Sequence, residues 1–336
     1  MDSNRHYQFY YYQIYGLTLR TNQPLPSLVS ASSNALVDVY IEITGETQPE
    51  LLPFALTADY SYDWQTETKI DGAYIHLWYH SNYGRLDFEI NPSGTKIQVT
   101  WTNLRIQEVS ALLIGGGVLG CALRLRSLAC LHANVVAVGN YAIAIVGDKG
   151  AGKSTTTAAL AKHGYSILSD DVAVLKQDGD TFLVQPGYPR LRLWLPSVHA
   201  LYGSEKDLER VFYPSEKRYV ELTTESNISG WRFQSEPLPL AAIYILEPRQ
   251  PELIAPNIEP ISAVTGLMTL MMHRSAKFLK LERDKQAREL ETLNRVAATI
   301  PIRRVHRPDD LTKLPEVCQV ILDDLQRLNQ KNVVKC

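Results

Sequence analysis

The sequence predicts an α/β protein: a mixed-sheet core spanning residues 106–336, preceded by a β-rich N-terminal domain spanning residues 1–105. Three observations carry this. A glycine-rich loop, Gly147-Asp148-Lys149-Gly150-Ala151-Gly152-Lys153-Ser154, stands between an apolar run that reads as a buried strand, Ala142–Val146, and a run that reads as a helix, Thr155–His163, stopped by Gly164. Segments with a period of two, such as Val37–Thr44, fill the first hundred residues. Asp178-Gly179 and Gly139-Asn140 sit between apolar runs as hairpin signals, so neighbouring strands pair antiparallel and the sheet is mixed.

The N-terminal elements follow in order. Val37–Thr44, Tyr74–His80, Arg85–Ile90 and Thr95–Trp101 read as strands. Asn82-Tyr83-Gly84 and Asn91-Pro92-Ser93-Gly94 supply turns between them, which suggests an antiparallel meander. Tyr7, Tyr10, Tyr11, Tyr12 and Tyr15 form either a recognition surface or, as favoured here, the packed face of an amphipathic strand.

From residue 106 the character changes. One helix is expected over Gln107–Ala129, then a strand over Leu131–Val138. Beyond the loop helix, Tyr165–Leu168, Val172–Leu175, Phe182–Val184 and Ala241–Leu246 read as strands, and Arg249–Pro260 as a proline-bearing loop. Helices are expected over Ala263–Phe278, Lys285–Ala298 and Pro315–Leu328, with a strand at Ile300–Val305 between the last two.

Bulk properties narrow the function classes. The chain has 336 residues, 45% hydrophobic and 21% charged, as in ordinary globular proteins. A net charge of −2 argues against a nucleic-acid partner, which needs a basic surface. Cys121, Cys130, Cys318 and Cys336 are scattered, without a CxxC pair, so a reducing cytoplasm is expected rather than a disulfide framework. Ala111–Ala122, the most apolar stretch, is too short to span a bilayer, and no membrane association is expected.

The loop matches Gly-x-x-x-x-Gly-Lys-Ser/Thr in full, with its strand and helix in place. Glycines let successive N–H groups turn inward onto phosphate oxygens, and the helix N-terminus adds partial positive charge. Gly147 through Thr155 are the expected nucleotide contacts: Lys153 reaches the β- and γ-phosphates, and Ser154 holds Mg²⁺. A nucleoside triphosphate with Mg²⁺ is expected, with ATP and Mg²⁺ as the cofactors; the loop does not choose between ATP and GTP, because base contacts lie outside it.

A phosphate loop fixes the ligand class and leaves the reaction open. The acidic pair Asp170-Asp171 bears on the reaction. It lies 17 residues after Lys153, across one helix and one strand, which returns the chain to the loop's edge of the sheet. One carboxylate can then sit near the metal while the other accepts the proton of an attacking hydroxyl. The alternative is an ordinary Asp-Asp turn. Arg190 and Arg192 read equally as a clamp for phosphate or an acidic substrate and as solvated strand residues. For Lys217-Arg218 and His273-Arg274 a solvated face is the favoured reading.

The block from Leu131-His132 through the glycine loop to Lys162–Asp171 resembles the catalytic core of HPr kinase/phosphorylase, over about residues 128–195. The resemblance implies a P-loop kinase core of the HPr kinase/phosphoenolpyruvate carboxykinase type, with a mixed sheet. By position it makes Asp171 the general base, sets Asp170 beside it near the metal, and gives His132 an orienting or polarising role; a structural histidine is the alternative for His132. Where that family carries a Glu-x-Arg-Gly-type signature, this chain has Pro186–Trp194 without the carboxylate, which argues against a phosphorylase reaction. Tyr15–Pro26, Pro186–Trp194 and Ile302–Leu311 are similar to the HPr-kinase-related branch found with lasso-peptide and other peptide natural-product clusters. That resemblance implies a serine-type hydroxyl of a peptide or small protein as acceptor and hints at a homo-oligomer; from its place in the chain alone, the N-terminal domain is expected to present or position the acceptor. A regulatory or scaffold ATPase without transfer and a small-molecule kinase are the competing readings.

Overall fold

The computed structural model describes residues 8–46, 61–80, 84–102, 106–211, 215–224 and 230–333. Among these, the N-terminal part forms an eight-stranded sheet in the order β3-β1-β2-β4-β8-β7-β6-β5. Its strands are β1 (Tyr10–Ile14), β2 (Leu17–Thr21), β3 (Val29–Ser30), β4 (Val39–Glu46), β5 (Ser61–Lys69), β6 (Gly72–His80), β7 (Arg85–Ile90) and β8 (Lys96–Thr102). Strands β6 to β8 are the expected antiparallel strands, and β5, for which no strand was expected, extends them by pairing antiparallel with β6. The rest of the sheet departs from this pattern, because β4 pairs parallel with both β8 and β2. Alternation sets the buried face: Ile97, Val99 and Trp101 of β8 point inward between exposed neighbours. Of the tyrosines, Tyr12 and Tyr15 are buried and Tyr10 and Tyr11 half-buried, so packing accounts for these four; Tyr7 lies outside the described residues. Asn82 and Tyr83 of the expected turn also lie outside them.

Two helices cover this sheet, α1 (Ile106–Ile114) and α2 (Val118–Leu125). Val109, Leu113, Leu119 and Leu123 share one core with Phe88, Ile97 and Val99. The single helix expected over Gln107–Ala129 is therefore two, and its last residue belongs to a strand. Gly115, Gly116 and Gly117 interrupt it, each costing about 1 kcal/mol against alanine in a helix. The chain also approaches closely there: a Cβ on Gly116 would meet Ser275 Oγ and Val172 Cγ2 at 3.2 Å. The helix pair has the length and composition of a membrane span but bends by 42° and is largely buried. Among the described residues no single helix is long and apolar enough to cross a membrane.

The remaining elements build a second, nine-stranded sheet. In chain order they are β9 (Ala129–Leu131), β10 (Ala133–Val138), β11 (Tyr141–Val146), α3 (Lys153–Lys162), β12 (Ser166–Ser169), β13 (Ala173–Asp178), β14 (Thr181–Gln185), β15 (Arg190–Leu193), α4 (Leu195–Ser197), β16 (Arg218–Glu221), β17 (Leu238–Leu246), β18 (Asn257–Pro260), α5 (Ala263–Met272), α6 (Arg283–Thr299), β19 (Ile302–His306) and α7 (Leu314–Val333). The sheet order is β12-β10-β11-β17-β14-β13-β9, with β19 also on β17 and β18 on β19; β15 and β16 form a separate ribbon. It is mixed: β11 and β19 run parallel to β17, and the other pairs are antiparallel. Gly139-Asn140 closes the β10–β11 hairpin and Gly179-Asp180 the β13–β14 hairpin, each on a glycine with positive φ. The expected loop over Arg249–Pro260 ends in a strand, β18, because Ile258 and its neighbours pair with β19.

Helices sandwich the sheet. Along β11, Ala142, Ala144 and Val146 face the α5–α6 side, where Leu270, Leu293 and Val296 lie. Ile143 and Ile145 face α3 and α7, meeting Leu160, Val317 and Ile321. Such two-sided burial is why β11 reads as a continuous apolar run.

The two sheets touch through the first hairpin. Tyr15 (φ 56°) and Gly16 (φ 73°) form its two-residue turn, both in the left-handed region that a primed turn requires. Tyr15 is buried and its N–H donates to the Pro186 carbonyl at 2.7 Å.

Candidate active site

The glycine loop joins β11 to α3 as expected, with Gly147, Gly150 and Gly152 at φ values of 156°, 83° and 92°. These turns are closed to other residues without strain. Arg307, just beyond β19, braces the loop from behind by donating from Nη2 to the Ala151 carbonyl. Asp148, Lys149 and Gly150 are exposed at the mouth. Thr155 Oγ1 lies 2.8 Å from Ser197 Oγ, which ties α3 to α4.

Strand order explains why the acidic pair meets the loop. β10 runs antiparallel to both β11 and β12, so the start of β10 and the end of β12 both lie beside the loop. Asp170 Oδ1 is 3.5 Å from Ser154 Oγ. Asp170 is fully buried, whereas the Asp171 side chain keeps 21% exposure. Asp171 holds φ 65°, a conformation uncommon outside glycine, asparagine and aspartate. It turns the second carboxyl away from the first and toward the cleft.

Arg192 on β15 binds both acids. Its backbone N–H and Nε donate to Asp170 Oδ2, and Nη2 donates to Asp171 Oδ2. Burial pushes the Asp171 carboxyl up; the Arg192 guanidinium, aided by His132, Lys217 and Lys153, outweighs it and holds the carboxyl at about 2. Burial, then the Asp171 charge, push Asp170 up against the pull of Arg192. Of the two arginines, Arg192 is therefore buried on the carboxylates. Arg190 points elsewhere, with Nη1 at 3.2 Å from Glu209 and its guanidinium over the Tyr219 ring at 4.6 Å.

His132 follows β9, with Nδ1 3.1 Å from the Asp171 carbonyl oxygen. Burial pulls its pKa below the usual value, so the ring is neutral at pH 7. Lys153 Nζ donates to the loop's own carbonyls, Gly147 at 2.8 Å and Asp148 at 3.2 Å. Burial lowers its pKa, and Asp171 and Asp170 resist.

Asn134 completes the centre and was not singled out by sequence. It is fully buried on β10, and its Nδ2 donates to Asp170 Oδ1 at 2.7 Å. Among the described residues its buried Oδ1 has no hydrogen-bond partner. A polar residue between Ala133 and the apolar run Val135–Val138 was the available signal. The expected solvated faces differ as well: Arg218 is buried, with Nη1 on the Glu216 carbonyl at 2.9 Å, and Arg274 pairs with Glu289 at 2.7 Å. Lys217 lies over Trp194, 5.3 Å from the ring centre.

Two clefts converge here. One, of about 510 Å³, runs along the loop and includes Lys153, Ser154, Trp194, Lys217 and Arg249. The other, of about 500 Å³, lies between Gly147–Lys149, the Gly116–Gly117 break and residues 272–278. His132, Lys149 and Asp171 line both.

No protein-family model matches the chain, and no curated protein is similar to it. Among solved structures, the Hpr(Ser) kinase/phosphatase from Coxiella burnetii is similar at a TM-score of 0.34 and 11% identity, over 61% of this chain and 96% of that one.

Proposed function

We propose that this chain is an ATP- and Mg²⁺-dependent phosphotransferase acting on a hydroxyl group, with a serine-type hydroxyl of a peptide or small protein as acceptor. One observation carries the reading: a phosphate loop and a carboxylate, Asp171, sit where two clefts meet, so a nucleotide in one can face an acceptor in the other.

The residues suit Mg²⁺. Ser154 Oγ, Asp170 Oδ1 and the partnerless Asn134 Oδ1 are hard oxygen donors grouped at the loop. Ser154 and Asp170 would hold the ion, and Asn134 Oδ1 would accept from its water. When bound, the ion offsets charge on the phosphate oxygens.

In the reaction, loop N–H groups and Lys153 hold the triphosphate. The acceptor oxygen attacks the γ-phosphorus and forms a new O–P bond. The bond from that phosphorus to the β–γ bridging oxygen breaks, and its electron pair leaves on ADP. The hydroxyl proton passes to Asp171 and on to solvent. Neutral His132, bonded to the Asp171 main chain, orients that carboxylate.

A nucleotide-gated module without transfer is favoured by one fact, the hold of Arg192 on Asp171. The deciding experiment is γ-labelled ATP with candidate acceptors and Asp171→Asn. Normal transfer by that variant, folded and nucleotide-bound, would falsify the mechanism.

A further inference from the structure

The second cleft has a chemistry of its own. It begins on the far side of Asp171 from Lys153 and Ser154, which line only the first cleft. Its volume of about 500 Å³ lies within the roughly 300–1,000 Å³ of ligand pockets. Its outer wall, residues 273–275, is fixed: His132 N–H donates to the His273 carbonyl at 2.7 Å, Ser275 N–H to Cys130 at 2.9 Å, and Ser275 Oγ to Gly116 at 2.9 Å. Behind that wall Glu289 joins Arg124 and Arg274. Phe278 in the lining packs against Trp64 of β5, with ring centroids 5.1 Å apart and planes tilted by 39°, so the N-terminal sheet borders the cleft.

The lining carries three cations, Lys149, Arg274 and Lys277, and two acids, Asp148 and Asp171. Lys149 and Lys277 are exposed on this cleft, and among the described residues no carboxylate pairs with either. Arg274 adds a third cation, already matched by Glu289. Apart from Asp171, held ionised by Arg192, and Asp148 at the rim, the lining has no acid. With Arg274 on Glu289 and Asp171 on Arg192, Lys149 and Lys277 remain against the exposed Asp148, and Lys277 is the lysine set apart from that acid on the other wall. Met272 supplies an exposed apolar surface at the same mouth.

We infer that this cleft is the acceptor site, and that the acceptor is an acidic peptide segment whose hydroxyl reaches Asp171 while a flanking carboxylate pairs with Lys277. This rests on the phosphotransferase reading and names its substrate class. An extended peptide fits a groove open between a fixed wall and the exposed loop, and its acidic side chain answers the unpaired lysines. The transferred phosphoryl group comes from ATP, and the bonds change as in the reaction above.

The test uses the full chain, Mg²⁺, γ-labelled ATP and three synthetic heptapeptides with a central Ser flanked on both sides by Glu, Ala or Lys. The Glu peptide should have the highest kcat/KM, about tenfold above the Lys peptide. Lys277→Glu should abolish or invert that order, and Lys277→Ala should flatten it. Equal rates on the three peptides, a preference for Lys, or an unchanged order in Lys277→Glu would overturn the inference. Titration with a fluorescent ATP analogue runs alongside. Nucleotide binding with no labelled peptide overturns the acidic-peptide assignment alone. Absence of nucleotide binding removes the phosphotransferase reading beneath it.

Discussion

Arg192 meets Asp170 twice on one oxygen: its backbone N–H and its Nε both donate to Oδ2, at 3.1 and 3.2 Å. The same side chain also neutralises Asp171, so a single guanidinium holds two adjacent acids together in a buried site. Removing it leaves both carboxylates without their cation. Arg192→Ala should lose about 3–5 kcal/mol in urea unfolding. In that variant the Asp171 carboxyl, followed by carbon NMR, should titrate well above about 2.

Asn134 offers a test of the proposed metal site that needs no acceptor. Among the described residues its Oδ1 lacks a partner, and its Nδ2 supports Asp170. Asn134→Ala should weaken Mg²⁺-dependent nucleotide binding by about 10- to 100-fold, with metal-free binding little changed. Calorimetric titration of ATP with and without Mg²⁺ separates the two. An equal loss in both conditions would show that Asn134 only shapes the loop.

The second buried cluster is structural. Arg124 Nε and Nη2 donate to the two oxygens of Glu289 at 2.6 and 2.9 Å, and Arg274 joins at 2.7 Å. Arg124 and Glu289 are almost fully buried. Glu289→Ala should cost about 3–5 kcal/mol, because it leaves a charged Arg124 without its partner. The change lies outside the proposed nucleotide cleft, so at temperatures where the variant is folded its affinity for ATP should match the wild type.

His132 sets a pH dependence of known sign. Burial holds its pKa below the value of about 6.5 that it has in an unfolded chain. In the interval between the two, the unfolded chain takes a proton that the folded site refuses, so this group withdraws stability as pH falls below about 6.5. His132→Gln should therefore gain stability relative to wild type between about pH 7 and about pH 5. Melting temperatures across that range give the difference; a constant offset would sink the idea.

Gly16 tests the contact between the two sheets. Its φ of 73° disfavours any Cβ, and an added one would lie 2.6 Å from Gln185 Oε1. Gln185 can swing away, so Gly16→Ala should cost about 1 kcal/mol, mostly from the backbone. Thermal unfolding measures it.

The loop and the acidic pair were legible because their chemistry is local. Eight consecutive residues define the first, and one helix and one strand fix where the second returns. Hairpin glycines revealed the mixed sheet for the same reason. Long-range partners were not legible. Nothing near Arg192 in sequence says that it faces Asp170, 22 residues earlier, nor that Arg307 braces Ala151 across 156 residues. Asn134 was hidden by its strand, since a single polar residue does not disturb an apolar pattern. The glycine triplet was visible, but an apolar run on each side of it favoured one helix over two.

Lys153 already spends its ammonium group on the carbonyls of Gly147 and Asp148. On the proposed reading, a triphosphate would have to draw that ammonium away from the main chain, so its binding would be an exchange of partners; a lone inorganic phosphate, with fewer oxygens and fewer loop amides to recruit, would exchange less favourably.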